Sequence, residues 1–564
     1  MQGKTEEDKI MTANEKYQLW MEKVTDPEVK KGLLAMQGND KLIENSFYKD
    51  LEFGTGGLRG ELGAGSNCLN VYTIRKVTQG IADSMKHYGM KVAAVSCDSR
   101  NNSDLFKTTV AEVFASNGIK VYVTEELMPT PFLSYITRYY KADIGVMITA
   151  SHNPARYNGY KVYGNDGCQL TDNAANELIG YINEVDGFAV NTDTIDAYAK
   201  QGLIEYVTQS VIDEYLDEVM KNHINFAEGL NVTYSALNGT GYKLVPEILR
   251  RMKVAELLLV DAQCYPDGNF PTCSYPNPEK AEALALGLEI AKKNQSDILI
   301  ATDPDADRVG TAVKHNGDYV LLTGNEIGVL LTDYLLAMRK ANGTLPVRPV
   351  IVKTIVTTEL VRKVSEQYDA EFFDVLTGFK YIGDVIAKLE RKNEEGRYVL
   401  GFEESYGYLT GTYVRDKDAV NAAMLVAEMT AYYKKLGKTL VDRLNELYAK
   451  FGTYQHKLMS YDFPGADGQQ QLKNLLNAIR ENAPEEIAGS KVVKFIDYTT
   501  QTEFDLPKSN VLSFTMEDGS KLIIRPSGTE PLVKMYLTAT KTPEENAVKF
   551  DGMKKCLEKM FGKN

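Results

Sequence analysis

Four short stretches carry residues whose types and spacing could do chemistry. Thr149-Ala150-Ser151-His152-Asn153-Pro154 puts a serine just past the apolar run Ile144–Ile148. Such a run reads as a buried parallel strand, so Ser151 leaves its carboxyl end in a turn, where open α/β sheets place their ligands. Asp303, Asp305 and Asp307 alternate with Pro304 and Ala306 directly after a second apolar run, 298–301. On a straight strand the outer two carboxylates would stand about 13 Å apart, too far to share an ion held at about 2.1 Å, so this stretch has to curl. Curled, three hard oxygen donors suit Mg²⁺, with positions left for water or a phosphate oxygen. Arg525-Pro526-Ser527-Gly528-Thr529 has the composition of an anion cradle: a forked guanidinium, two hydroxyls and a glycine turn that aims backbone N–H groups. Gly401-Phe402-Glu403-Glu404-Ser405 ends a third apolar run in a polar loop. Taken singly, the first three also fit ordinary turns, since Ser, Asn, Asp, Gly and Pro all favour them.

Other chemistries can be tested on the same residues. The loop from Gly54 to Gly60 lacks the Gly-Lys-Ser/Thr ending of a P-loop and the Gly-x-Gly-x-x-Gly spacing, so it is a tight backbone presenting Arg59 and not a nucleotide signature. An EF-hand is excluded because Arg308 stands where its glycine is needed and Lys314 where its last glutamate is needed. For a serine hydrolase, His152 is the nearest base, but neighbouring side chains on an extended strand exit point apart, and the Gly-x-Ser-x-Gly elbow is missing. The other histidines, at 87, 223, 315 and 456, sit in no motif. A serine near metal-holding aspartates suits phosphoryl transfer better: a serine phosphate adds an oxygen ligand, and the metal neutralises charge as the group moves. Lys161, ten residues on, is the acid/base candidate, with a pKa expected to be lowered by desolvation among cations.

The rest of the composition is that of a soluble globular protein. The chain has 564 residues, 43% hydrophobic and 25% charged, enough for several cores. No apolar run approaches the ~18 residues of a membrane span, and the charged N-terminus, with helical periodicity around Tyr17, Leu19, Trp20 and Val24, has no signal-peptide core. A cytoplasmic location is expected, with the six cysteines reduced: none forms a Cys-x-x-Cys pair. The net charge of −13 disfavours nucleic acid and anionic membranes as partners, and leaves anionic small molecules if cations are gathered locally. No obligatory protein partner is evident.

Strands alternating with helices organise the chain into three sets, 92–148, 232–301 and 350–400, each ending in one of the polar loops above. From about Gly452 strands cluster instead, which reads as a smaller α+β domain. The expected fold is therefore α/β: three tandem mixed or parallel α/β sheet domains of repeated architecture plus a C-terminal α+β domain, around one cleft. The boundaries read as 1–206 with the serine loop, 207–318 with the metal loop, 319–452, and 453–564 with the phosphate loop.

The four loops, in this order, resemble the signature loops of the α-D-phosphohexomutases, from Phe53 onward. Within that superfamily Thr377-Gly378-Phe379-Lys380 and the N-terminal extension resemble the longer phosphoglucomutases related to phosphopentomutase. The resemblance implies an intramolecular phosphotransferase that interconverts glucose 1-phosphate and glucose 6-phosphate through a phosphoserine and a hexose 1,6-bisphosphate. It implies Ser151 as the phosphate carrier and, with Asp303, Asp305 and Asp307, as a ligand of Mg²⁺. Arg59, Lys161 and Arg308 would surround the transferring group. Glu403 and Ser405, with Lys380, would bind the sugar; Arg525, Ser527, Gly528 and Thr529 would bind the non-reacting phosphate. Glucose 1,6-bisphosphate would be activator and intermediate, and sugar phosphates the only partners. One departure is that Tyr406, Gly407 and Tyr408 follow Ser405, where some bacterial phosphomannomutase/phosphoglucomutases carry a histidine. Mannose or pentose phosphates stay open as substrates. In other classes, an aspartyl-phosphate sugar phosphatase would carry the phosphate on Asp303, a sensor would bind sugar phosphate without turnover, and a purely structural protein would leave four phosphate-suited loops unexplained.

Overall fold

The computed structural model describes residues 11–54, 56–463, 468–503, 505–527 and 532–562. The chain folds as two compact units. One takes the chain through His223, then Asn231–Thr311 and Gly411–Met424; the other takes Ile224–Leu230, Ala312–Thr410 and the chain from Leu425 on.

The first unit opens on three short helices, each begun by a capping residue. Thr12 and Glu15 form a reciprocal capping box before Ala13–Lys23, and Asp26 and Asn39 accept N–H groups at the starts of Pro27–Ala35 and Asp40–Phe47. The expected periodicity turns Tyr17 and Trp20 inward, where Trp20 meets Phe47, Tyr72 and Phe188 edge-on.

The main sheet of this unit contains β1 (Leu58–Glu61), β2 (Val92–Cys97), β3 (Lys120–Val123), β4 (Ile144–Ile148), β5 (Tyr157–Gly164) and β6 (Ile204–Tyr206), in the order β1-β5-β4-β2-β3-β6. The strands from β4 to β6 in that order run parallel, as strand-helix alternation predicts. β5 and β1 add to β4 in antiparallel fashion, and neither is among the strands read from the sequence. All five residues of β4 are buried between β2 and β5, so the chain end that delivers Ser151 is fixed on both sides. Gly159 marks how closely these segments pack: a Cβ there would lie 2.4 Å from the Thr149 carbonyl and 2.8 Å from that of Leu58. A second parallel set, β8-β7-β9, joins β7 (Asn231–Ser235), β8 (Glu256–Leu259) and β9 (Ile298–Thr302), and β9 is buried at every position.

The second unit holds two further sheets. Glu371–Val375, Val350–Thr354 and Tyr398–Glu403 pair in parallel in that order, with Gly407–Leu409 antiparallel at the end. The C-terminal sheet is antiparallel throughout, in the order Gln455–Asp462, Leu532–Ala539, Lys521–Pro526, Leu512–Met516, Ser490–Asp497, Glu486–Ile487. Its core takes Leu472 and Leu476 from one helix and Met553 and Leu557 from another. Among the described residues no helix is long and apolar enough to cross a membrane.

Gly159→Ala should lower the thermal midpoint by an amount corresponding to roughly 1–3 kcal/mol of overpacking, because both contacted atoms are backbone. An unchanged melting curve would contradict the close approach of β5 to the serine loop.

Candidate active site

Ser151 lies just beyond β4 with φ of +54°, in the left-handed region. Thr149 Oγ1 accepts its backbone N–H at 2.8 Å, and its own hydroxyl donates to Asp303 Oδ2 at 3.0 Å. The same turn brings His152 Nδ1 to 3.1 Å from Ser151 Oγ. This corrects the expectation that the two side chains point apart, which holds for an extended exit and not for a left-handed one. Desolvation, helped by the charges of Arg308 and Arg59, pushes the His152 pKa well below its ordinary value, so the imidazole is neutral.

The acidic stretch curls as its spacing requires. Ala306 takes φ of +48° and its N–H donates to the Asp303 carbonyl at 2.9 Å. Carboxylate oxygens of Asp303, Asp305 and Asp307 thereby come within 4.8 Å of one another, all three side chains buried. Asp303 Oδ1 accepts the N–H groups of Asp307 at 3.1 Å and Arg308 at 2.9 Å. Asp305 Oδ2 accepts from Thr130 Oγ1 and from Lys161 Nζ, each at 2.9 Å. One oxygen of Asp305 and one of Asp307 (Oδ1 of each) are buried without a hydrogen-bond donor. Buried acceptors are normally satisfied, and three converging carboxylates with open lone pairs are a donor set for a hard divalent cation.

The Asp303 and Asp305 carboxyls are shifted in opposite directions. Burial and the neighbouring Asp305 and Asp307 push the Asp303 carboxyl well up, outweighing the charge of Arg308. At Asp305 burial acts the same way but is overcome by Lys161, so that carboxyl is held far below the usual range.

Lys161 lies on β5 opposite Met147 of β4, which aims it at the aspartates. Its Nζ is 2.9 Å from Asp305 and 3.6 Å from Asp307. Burial alone would lower its pKa, but Asp305 and Asp307 raise it above the ordinary value. The expectation of a lowered pKa is thus corrected: its nearest charges are carboxylates, not cations, and it is a protonated lysine. Arg308 pairs with Glu279 at 2.5 Å and stands 3.7 Å from Asp307. Arg59, on β1, reaches Asn153 Oδ1 at 3.4 Å. The turn before it needs Gly57, whose φ is +117° and whose Cβ would fall 1.9 Å from the Tyr160 carbonyl.

Lys417 is a site residue absent from the sequence reading. Its Nζ lies 3.1 Å from Asp307 and 3.0 Å from Asp416, and Asp416 in turn accepts from Tyr163 Oη at 2.7 Å. The available signal was the charged run Arg415-Asp416-Lys417-Asp418 wedged between Val414 and the apolar start of a helix. Thr130, which holds Asp305 from the start of a helix after β3, carries no local signal at all.

The remaining sequence candidates belong to the second unit. Glu403 ends its strand buried and accepts the Gly378 N–H at 3.0 Å, one turn from Lys380, whose ammonium lies over the Tyr381 ring. Glu404 accepts from Thr354 and Thr357 hydroxyls at 3.1 and 3.2 Å, ahead of Ser405 and of Tyr406 at φ +67°. Arg525 closes the strand Lys521–Pro526, and burial together with Glu404 raises the pKa of Tyr536, against the opposing charge of Arg525. Ser527 donates its N–H to the Leu532 carbonyl at 2.8 Å. Gly528 and Thr529 lie outside the described residues.

The chain matches known proteins over most of its length. Residues 50–187, 213–317 and 323–451 match alpha/beta/alpha domains I, II and III of phosphoglucomutase/phosphomannomutase, and residues 475–551 match its C-terminal domain. The chain is 37% identical over 512 residues to a phosphoglucomutase of Staphylococcus haemolyticus, covering 88% of this chain and 91% of the relative. It is 36% identical over 535 residues to a phosphoglucomutase of Staphylococcus aureus, covering 92% and 95%. Among solved structures, it superposes on parafusin from Paramecium in its open form with a TM-score of 0.69 at 18% identity, covering 91% of this chain and 96% of that one. A family protein from Burkholderia thailandensis gives a TM-score of 0.67 at 18% identity, covering 90% and 97%. The fold is thus the expected set of α/β domains with a C-terminal domain.

Burial and the neighbouring carboxylates favour the neutral form of Asp303, which opposes the entry of a divalent cation. Titrating the protein with Mg²⁺ alone at a series of pH values should therefore release protons on binding, with apparent affinity rising with pH, the sign expected when a raised Asp303 pKa opposes binding. Affinity independent of pH, with no proton released, would contradict the charge assignment.

Proposed function

The chain belongs to the phosphoglucomutase/phosphomannomutase family of α-D-phosphohexomutases, and from that premise we propose that it interconverts glucose 1-phosphate and glucose 6-phosphate by way of Ser151. The observation that carries the mechanism is the 3.0 Å hydrogen bond from the Ser151 hydroxyl to Asp303, inside a buried cluster of three carboxylates and two lysines.

In this reading Ser151 carries the phosphate in the resting enzyme. The group passes to the free hydroxyl of the bound sugar phosphate: the new O–P bond forms as the bond to Ser151 Oγ breaks, the hydroxyl's proton ends on Ser151 Oγ, and glucose 1,6-bisphosphate results. The other phosphate of that intermediate then returns to Ser151 and releases the isomeric product. Asp303, Asp305 and Asp307 are the residues that would hold Mg²⁺, and their two undonated oxygens support that fit. A bound Mg²⁺ supplies positive charge against the phosphoryl oxygens as the group moves. Lys161 and Lys417 add fixed positive charge beside the same carboxylates, and Lys161 is the acid/base candidate for the proton that moves as the group is transferred. Arg59 and Arg308 supply the remaining cations on the serine side. Glu403, Ser405 and Lys380 are assigned to the sugar, and Arg525, Ser527, Gly528 and Thr529 to the second phosphate, on their motifs. The aspartyl-phosphate alternative is less well supported, because Asp303 already accepts two N–H groups and the Ser151 hydroxyl.

Ser151→Ala should lose turnover of glucose 1-phosphate by at least about 10³-fold while keeping its melting curve, since the change removes the carrier and only its hydrogen bonds to Asp303 and His152. Near-normal activity in a folded Ser151→Ala protein would refute covalent catalysis. Comparing kcat/KM over glucose, mannose and ribose phosphates should put glucose first; a preference for mannose or ribose would reassign the substrate but keep the mechanism.

A further inference from the structure

Arg100 is not assigned any part in the reaction above, yet it is built into the serine loop. It follows β2 by three residues and is 3% exposed. Its guanidinium donates to four backbone carbonyls of one turn: Nη1 to Pro154 at 3.1 Å and Tyr157 at 2.9 Å, and Nη2 to Ser151 and Asn153. Asp98 supplies the counter-charge at 3.3 Å and is itself anchored by the Ser103 hydroxyl and by the Arg100 N–H. The face of the guanidinium lies over the Phe270 ring, 5.2 Å from its centroid. The Asp98 N–H donates to the Ile148 carbonyl at 3.0 Å, which ties the assembly to the end of β4.

This arrangement answers a specific strain. A serine at φ of +54° stands in a region that L side chains disfavour and persists only where its surroundings fix it. One of the four bonds goes to the carbonyl of Ser151 itself, the group whose direction is set by the same backbone turn that aims Oγ at Asp303. A planar fork with fixed N–H directions can satisfy several carbonyls at once, whereas an ammonium on a flexible stem cannot reproduce that geometry.

We infer that Arg100 is a positioning residue that winds the carbonyls of residues 151–157 onto one buried guanidinium and so holds Ser151 in the left-handed conformation required for phosphoryl transfer. The inference rests on the reading of Ser151 as phosphate carrier. Arg100 acts through the loop, so its loss should slow the chemical step and leave sugar recognition alone.

The test compares full-length wild-type and Arg100→Lys proteins loaded with phosphate from glucose 1,6-bisphosphate in Mg²⁺. Single-turnover transfer to glucose 6-phosphate counts only folded, loaded molecules, so poor folding does not imitate a slow step. Transfer should be on the order of 100-fold slower, the scale of a misplaced reacting atom. KM for glucose 1-phosphate should stay within about 3-fold of wild type. Hydrogen exchange should quicken in peptides covering 149–157 and not elsewhere. If Arg100→Lys does not fold, Arg100→Gln is measured in the same way with the same expectation. A folded variant that transfers at the wild-type rate, or one that slows with unchanged loop exchange, overturns the inference. Wild-type protein that takes no phosphate on Ser151 sinks the mutase reading instead.

Discussion

Burying Asp303, Asp305 and Asp307 within 4.8 Å of one another is the demand that the first unit has to meet. At an effective dielectric of about 20, each ionised pair at that spacing repels by about 3–4 kcal/mol, so three pairs oppose folding by on the order of 10 kcal/mol. That matches the whole net stability of a typical domain. The structure offsets it with groups from four places: Lys161 from β5, Lys417 from the segment Gly411–Met424, Thr130 from the helix after β3, and N–H groups of the acidic turn itself. A divalent cation held by the three carboxylates would relieve the remainder. Seen this way, the antiparallel β5 is the element that delivers a positive charge to the end of β4.

The same charges prepare the site for its reaction. A phosphoryl group brings several oxygens whose negative charge has to be met without waiting for water to reorganise. In the proposed reaction, lysines, arginines and three carboxylates suited to a cation, all fixed in advance by packing, would meet it with little rearrangement. Ser151 sits among them because its backbone is turned left-handed, which also brings His152 beside its hydroxyl.

Much of this was legible in the sequence, for physical reasons that can be named. Buried β4 and β9 read as unbroken apolar runs, and the alternating Asp303-Pro304-Asp305-Ala306-Asp307 demanded a curl whatever the fold. What stayed hidden depended on tertiary context. Tyr157–Gly164 looked like more of the serine loop, so the strand that aims Lys161 was missed, and with it the carboxylates that keep this lysine protonated. His152 was set aside on an extended-chain argument that one positive φ cancels. Lys417 and Thr130 reach the aspartates from distant segments, and no local pattern announces such a meeting.

The central claim is that Ser151, and not Asp303, carries the phosphate. Wild-type protein incubated with glucose 1,6-bisphosphate and Mg²⁺, digested and mapped by mass spectrometry, locates it directly. Phosphate on the peptide containing Ser151, stable to mild alkali and discharged by glucose 6-phosphate, is the predicted result. An alkali-labile acyl phosphate on Asp303, or no phosphate on Ser151, would contradict it.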